Sequence, residues 1–183
     1  DEGFVPVTFD NLSKGNKWSV KWGPLELGDL SDEGRLKRLF EKYSFIGVIH
    51  LAALSNVEQS CAEPNLYFKN NVLGSFNLLQ KMIEFKVNNI VFSSTAAVYG
   101  NPIYLPIDEK HPTQPINPYG DTKLVVENLI YTNWIKTDKI AANIKAYANI
   151  VREQSILRQL INVSNVLIEK SRDGAIDSKA LLD

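Results

Sequence analysis

Three features of the sequence point to an α/β domain built on a parallel sheet. Short β-rich runs alternate with helical patterns through the first two thirds of the chain. The run GVIHLAA (47–53) is apolar almost without a break, as a strand buried on both faces should be. The stretches between the runs are long enough for crossover helices, which in such sheets are right-handed.

The elements follow in order. VPVTFD (5–10) is a short strand ending in Asp10, and the turn-like NLSKGN comes next. PLELGDL (24–30) is a second strand ending at Gly28-Asp29. Ser31 is the expected N-cap of a helix over DEGRLKRLFEKY, where Leu36, Leu39, Phe40 and Tyr43 recur at helical spacing. Residues 64–86 carry a helical pattern, and NNIVFSS (88–94) is the next buried strand. A loop with Pro102, Pro106, Pro112 and Pro115 leads to Pro118-Tyr119, which opens a helix through VVENLIY. The character changes near residue 132. From Thr137 no strand signal remains, and Lys139 to Lys170 reads as one long amphipathic helix or two shorter ones.

Composition narrows the function. The 183 residues, 44% hydrophobic and 22% charged, make one domain or a domain with an appendage. Twenty basic against 21 acidic residues leave a net charge of −1, so no polyanion-binding surface is expected. A single cysteine, Cys61, excludes a disulfide within the chain, and with only two histidines a protein-built zinc site is not expected. No apolar run approaches the roughly 18 to 20 residues that cross a bilayer. The opening DEGFVPVTFD lacks the basic-then-apolar order of a secretory signal, so a cytoplasmic location is the default.

Parallel sheets place ligands at the carboxyl ends of their strands. Asp10 and Asn11 end the first strand, where a carboxylate can take both hydroxyls of a ribose, although Asp and Asn are also common turn residues. Asp29 ends the second strand and Ala52-Ala53 the third, where small side chains allow close backbone approach. The fourth ends in Ser93-Ser94-Thr95, and Tyr119-x-x-x-Lys123 follows at a helix start. Tyr and Lys four apart share a helix face. A phenol is a poor base at neutral pH until a nearby ammonium stabilises its phenolate. Alcohol–ketone chemistry needs such a tuned base, although a solvated surface pair has the same spacing. His50, inside an apolar strand, is expected to be a hydrogen-bonded core residue, and His111 an exposed loop residue. Cys61 reads as a small helix-packing residue, and Trp18, Trp22 and Trp134 as packing residues.

Taken together, FDNLSKGN, GDL, VIHLAALSNVEQS, YFKNNVLGSFNLL, NIVFSSTAAVYG and LPIDEKHPTQPINPYGDTKLVVENLI resemble the UDP-glucose 4-epimerase family of extended short-chain dehydrogenase/reductases, over residues 4–131. The resemblance implies a partial Rossmann-like sheet that binds NAD and a UDP-hexose, and a homodimer formed through the helices of this region. It implies that Asp10, Asn11 and Ser13 hold the adenosine ribose, and that Asp29 and Leu30 flank the adenine. Leu51, Ala52 and Ala53 line the pyrophosphate and ribose, and Asn71 supports the cofactor side. Ser93 sits by the nicotinamide, Thr95 binds the sugar hydroxyl, Tyr119 is the base, and Lys123 binds the nicotinamide ribose and tunes Tyr119. Ser55 stands where many members carry Lys. In the implied reaction Tyr119 takes the proton of the sugar 4-hydroxyl while hydride passes to NAD. The 4-keto sugar turns over, and hydride returns to its other face.

Family members begin with a strand and a G-x-x-G-x-x-G turn that meets the pyrophosphate, and this chain begins after that turn. In the sheet order 3-2-1-4-5-6 that strand is the central one. The runs 5–10 and 47–53 must then pair directly, pair with another chain, or keep unpaired backbone groups. The family's C-terminal substrate domain is not recognisable either, so weak or absent activity is expected of this chain alone. Residues 141–183 instead resemble the N-terminal domain of bacterial replicative DNA helicase, which implies contact with helicase subunits or primase. No P-loop pattern occurs in the chain, so no helicase activity is expected. The simplest reading is a join of two fragments at residues 132–140.

Overall fold

The computed structural model describes residues 3–134. The expected helical tail, 141–183, lies outside the described residues. The strands are β1 (Thr8–Asp10), β2 (Leu25–Leu27), β3 (Val48–His50) and β4 (Ile90–Phe92). The helices are α1 (Glu33–Lys42), α2 (Val57–Ala62), α3 (Pro64–Tyr67), α4 (Gly74–Glu84) and α5 (Pro118–Trp134). A π-helical stretch at Phe68–Leu73 joins α3 to α4, and short 3-10 turns lie at Lys17–Ser19 and Ala96–Tyr99.

The sheet is parallel, as its sequence pattern requires, and it comes in two pairs. β1 pairs with β2, Phe9 opposite Glu26, and β3 pairs with β4, Ile49 opposite Val91. The two pairs share no ladder, so β1 and β3 do not pair directly. Thr8 N–H donates to Pro24 O and Gly28 N–H to Asp10 O. Backbone alternation then turns the N–H and C=O of Phe9 away from β2. Val48 N–H donates to Asn89 O and Ser93 N–H to His50 O, which likewise turns those of Ile49 away from β4. The arrangement is that of a doubly wound sheet in which no described strand lies between β1 and β3.

Side-chain alternation gives the sheet two unlike faces. Phe9, Val48, Ile90 and Phe92 pack on Leu36 and Phe40 of α1, Leu78, Leu79 and Met82 of α4, and Val126 and Ile130 of α5. Glu26 lies on the same face and pins α1 to β2. Its carboxylate accepts hydrogen bonds from Lys42 Nζ at 2.6 Å, Tyr43 OH at 2.6 Å and Arg35 Nη2 at 2.5 Å. Those bonds, Lys42 first, hold it down to about 2. On the opposite face Ile49 is 70% exposed, Leu51 69% and Leu27 57%. The expectation that 47–53 is buried on both faces is therefore corrected. The run is apolar on both sides, but the three long helices all pack on one.

Other local expectations also shift. Asp32, not Ser31, caps α1, its Oδ1 accepting from Arg35 N–H at 2.8 Å. Ser31 is drawn back onto Asp29 instead. Helical structure begins before residue 64, at α2, which Asn56 caps by accepting from Gln59 N–H. His50 is the core residue expected, its Nε2 2.7 Å from Ser75 Oγ. His111 is buried rather than exposed: Nε2 accepts from Ile103 N–H, Nδ1 bonds Pro112 O, and the Tyr99 and Tyr104 rings close on it. Cys61 is exposed, and Trp18 and Trp22 are 76% and 74% exposed, so none of the three packs as expected. The Trp134 side chain lies outside the described residues.

Candidate active site

Every candidate residue except Asn71, Tyr119 and Lys123 lies at or just past the carboxyl end of a strand, where a doubly wound sheet gathers its ligand. The first group sits at β1 and β2. Asp10 Oδ1 accepts from Leu12 N–H at 2.6 Å, and Leu12 takes a left-handed φ of 56° to allow it. Gly15 then crosses so close that a Cβ there would lie 3.1 Å from the Asp10 carboxylate. Asn11 Nδ2 donates to Asp29 Oδ2 at 2.6 Å, and its Oδ1 accepts from Ser13 N–H. The other Asp29 oxygen accepts from Ser31 N–H and Oγ. The Ser31 backbone first, then the Asn11 side chain and the Ser31 hydroxyl, hold the Asp29 carboxyl below its ordinary value. Leu30 is anchored on α4, where Asn77 Nδ2 donates to its carbonyl. A concavity of about 290 Å³ beside this group is lined by Thr8, Asp10, Leu12, Gly15 and Trp22 among others, and includes neither Tyr119 nor Lys123.

The second group surrounds the start of α5. Pro118 sits at the head of that helix, and Asn117 Oδ1 accepts from Gly120 N–H at 2.8 Å. One turn further on, Lys123 is buried and donates to Ser93 O at 2.8 Å. Its Nζ lies 4.7 Å from the centre of the Phe92 ring and 5.9 Å from that of Tyr119. Burial pulls the ammonium down to about 8, and the Glu127 charge opposes that. The Tyr119 ring meets Tyr67 edge-on at 6.5 Å.

Two expected ligand residues also make structural hydrogen bonds. Thr95 Oγ1 accepts from Ala97 N–H and caps the turn at Ala96–Tyr99. Asn71 is buried, with Oδ1 accepting from Leu54 N–H and Nδ2 donating to Leu54 O and Thr122 Oγ1. It ties the segment after β3 to α5. In that segment Leu51 and Ala52 are exposed and Ala53 is half-buried. Among the described residues no hydrogen bond joins the β1–β2 group to the α5 group. The sequence reading missed Glu127, half-buried on α5, and the buried hydroxyl of Ser94. The 119–123–127 spacing on one helix face was the available signal.

A family model described as GDP-mannose 4,6 dehydratase matches residues 9–171. UDP-glucose 4-epimerase of Rhizobium leguminosarum bv. trifolii is 43% identical over 130 residues, 71% of this chain and 40% of that protein. The human UDP-glucose 4-epimerase is 41% identical over 145 residues, 71% of this chain and 42% of that protein. The crystal structure of UDP-glucose 4-epimerase from Brucella ovis in complex with NAD superposes with a TM-score of 0.68 at 44% identity, covering 69% of this chain and 39% of that one. The Bifidobacterium longum enzyme in complex with NAD+ and UDP gives 0.69 at 34% identity, covering 71% and 42%. The chain thus spans about 40% of the length of the curated relatives it matches. The match over most of the chain agrees with the Rossmann-like strand order, and the chain belongs to the GDP-mannose 4,6 dehydratase-like family of extended short-chain dehydrogenase/reductases, which the UDP-glucose 4-epimerases share.

Proposed function

We propose that this chain is the NAD-binding portion of a nucleotide-sugar 4-epimerase that interconverts UDP-glucose and UDP-galactose. The observation that carries the reading is Lys123: a buried ammonium, drawn down to about 8, held against the end of β4 one helical turn beyond Tyr119. A surface pair would be solvated and near its ordinary value.

The donor set suits both ends of NAD. Asp10 spends Oδ1 on Leu12 and has Oδ2 for a ribose hydroxyl, while Asn11, Ser13, Asp29 and Leu30 surround the adenosine end. Leu51, Ala52 and Ala53 leave room for the pyrophosphate, and Asn71 braces that segment from behind. Ser93 and Lys123 serve the nicotinamide end. Bound NAD supplies the acceptance and return of hydride. Tyr119 takes the proton of the sugar 4-hydroxyl, Thr95 holds the sugar oxygen, and Lys123 stands one helical turn on with its Nζ 5.9 Å from the centre of the Tyr119 ring. The Thr95-Ala96-Ala97 sequence lacks the acidic pair expected beside the Ser or Thr of a dehydratase, which favours epimerisation.

The test is calorimetry of NAD on the purified chain, with a Tyr119→Phe, Lys123→Ala double variant. Binding that weakens about tenfold or more in the variant is expected, about 1.4 kcal/mol or more. No heat up to about millimolar NAD, a weak standard affinity, overturns the reading. Turnover by this chain alone is expected to be weak or absent, since it spans about 40% of its relatives.

The sequence of 141–183 supports a second reading, an interaction module for replicative helicase or primase. No retention of either protein at micromolar concentration in a pull-down removes it. The homodimer through the epimerase-like helices and the cytoplasmic location belong to the same proposal. Among the described residues no helix is long and apolar enough to cross a membrane.

A further inference from the structure

The proline-rich loop between the turn at Ala96–Tyr99 and α5 is closed on itself by one imidazole. His111 is 5% exposed, and both of its ring nitrogens meet backbone groups. Ile103 N–H lies 3.1 Å from Nε2, and an amide N–H can only donate, so Nε2 carries a lone pair. Pro112 O lies 2.8 Å from Nδ1, and a carbonyl can only accept, so the ring proton sits on Nδ1. The two contacts together fix a neutral ring in one tautomer. A proton added at Nε2 would set a donor against a donor, and the Ile103 bond would be lost. Ile103 is 72% exposed, so water can take the place of the ring and the change stays local.

We propose that His111 is an acid-sensitive latch: its neutral ring holds residues 103–111 closed, and protonation at Nε2 frees Ile103 and loosens the loop that leads from Thr95 to Tyr119. The loop touches both ends of that path. A Cβ on Gly100 would lie 1.9 Å from Gln114 O, and one on Gly120 would lie 2.7 Å from Ala97 O. The proposal concerns the loop alone and stands without the epimerase reading. Tyr99 faces the imidazole from the turn and Tyr104 from the loop, with ring centres 5.4 and 4.6 Å away. The charged groups around it are Asp108, Glu109 and Lys110 on the loop, with Glu127 of α5 beyond Tyr99. Asp108 O accepts from His111 N–H, and Asp108 Oδ1 accepts from Tyr104 OH and Lys110 N–H. The Tyr104 hydroxyl first, then the Lys110 amide, hold the Asp108 carboxyl below its ordinary value. Asp108 therefore keeps its charge between about pH 5 and 8, where a histidine changes its own.

The experiment is NMR of the purified chain across about pH 5 to 8, following the His111 ring and the Ile103 amide in one sample. The chain has two histidines, and His50, pulled down to about 4, stays neutral through that window. Protection of the Ile103 amide, corrected for intrinsic exchange, is expected to fall about tenfold or more along the curve on which the His111 ring gains its proton. The Val48 amide, which donates to Asn89 O in a ladder, should stay protected. His111→Gln offers an acceptor that does not titrate, so its Ile103 protection should be flat with pH. Ile103 protection that stays flat while His111 protonates overturns the proposal, and so does a ring that stays neutral throughout. Equal loss at Val48 overturns it as well, since the domain would then be unfolding instead of the loop opening. Should His111→Gln fail to fold, the wild-type comparison of His111, Ile103 and Val48 decides alone.

Discussion

His50 is neutral because its ring is buried beside Phe92, and the Lys123 charge opposes its protonation as well. Burial pulls it down to about 4 from an ordinary 6.5. A histidine lowered on folding binds its proton more readily in the unfolded chain. Its contribution is therefore complete above pH 6.5 and is lost as pH falls towards about 4. Urea unfolding should show wild type losing up to about 3 kcal/mol over that interval, with a visibly smaller loss in His50→Gln. This residue was legible in the sequence, since a lone polar side chain in an apolar strand must find a partner. His111 was not. Its burial depends on Tyr99 and Tyr104 folding over it, and nothing in a proline-rich run specifies that. Asp10, Asn11 and Asp29 were legible as strand-end residues, but their mutual hydrogen bonds were not.

Helices were read better than strands because 3.6-residue periodicity is sustained over more positions than a three-residue ladder offers. α1 buries Leu36, Leu39 and Phe40 as its spacing requires. Its cap was misplaced by one residue because Ser31 and Asp32 are both good caps, and Asp29 had already engaged Ser31. The turn before the proline-rich loop depends on backbone geometry at Gly100. Its φ is 60°, and a Cβ there would lie 1.9 Å from Gln114 O. Gly100→Ala should therefore cost more than about 2 kcal/mol in urea unfolding, because both the dihedral and the contact forbid the methyl group. A cost below about 0.5 kcal/mol, the range of a neutral surface change, would show that the loop relaxes around it.

The parallel class was legible from the alternation of strands and helices, whereas the strand order left open whether β1 and β3 pair directly, and they do not. The bare face was not, because residue type alone does not say which layer covers a strand. Amide exchange gives a direct check. The N–H groups of Phe9 and Ile49 point away from their partner strands, whereas those of Thr8 and Val48 donate across a ladder. The first two should exchange at least about tenfold faster than the second two, since an amide outside a ladder needs no opening step. Equal protection would mean that some other chain segment pairs with those edges. The divided sheet also changes the arithmetic of the proposed ligand. In the proposed reading its adenosine end would meet β1–β2 and its nicotinamide end β4 and α5. A dinucleotide spanning them behaves as a bivalent guest, its second half docking at an effective concentration set by the freedom between the two ribbons. Any stiffening of that gap should therefore tighten NAD while leaving the affinity for AMP alone unchanged.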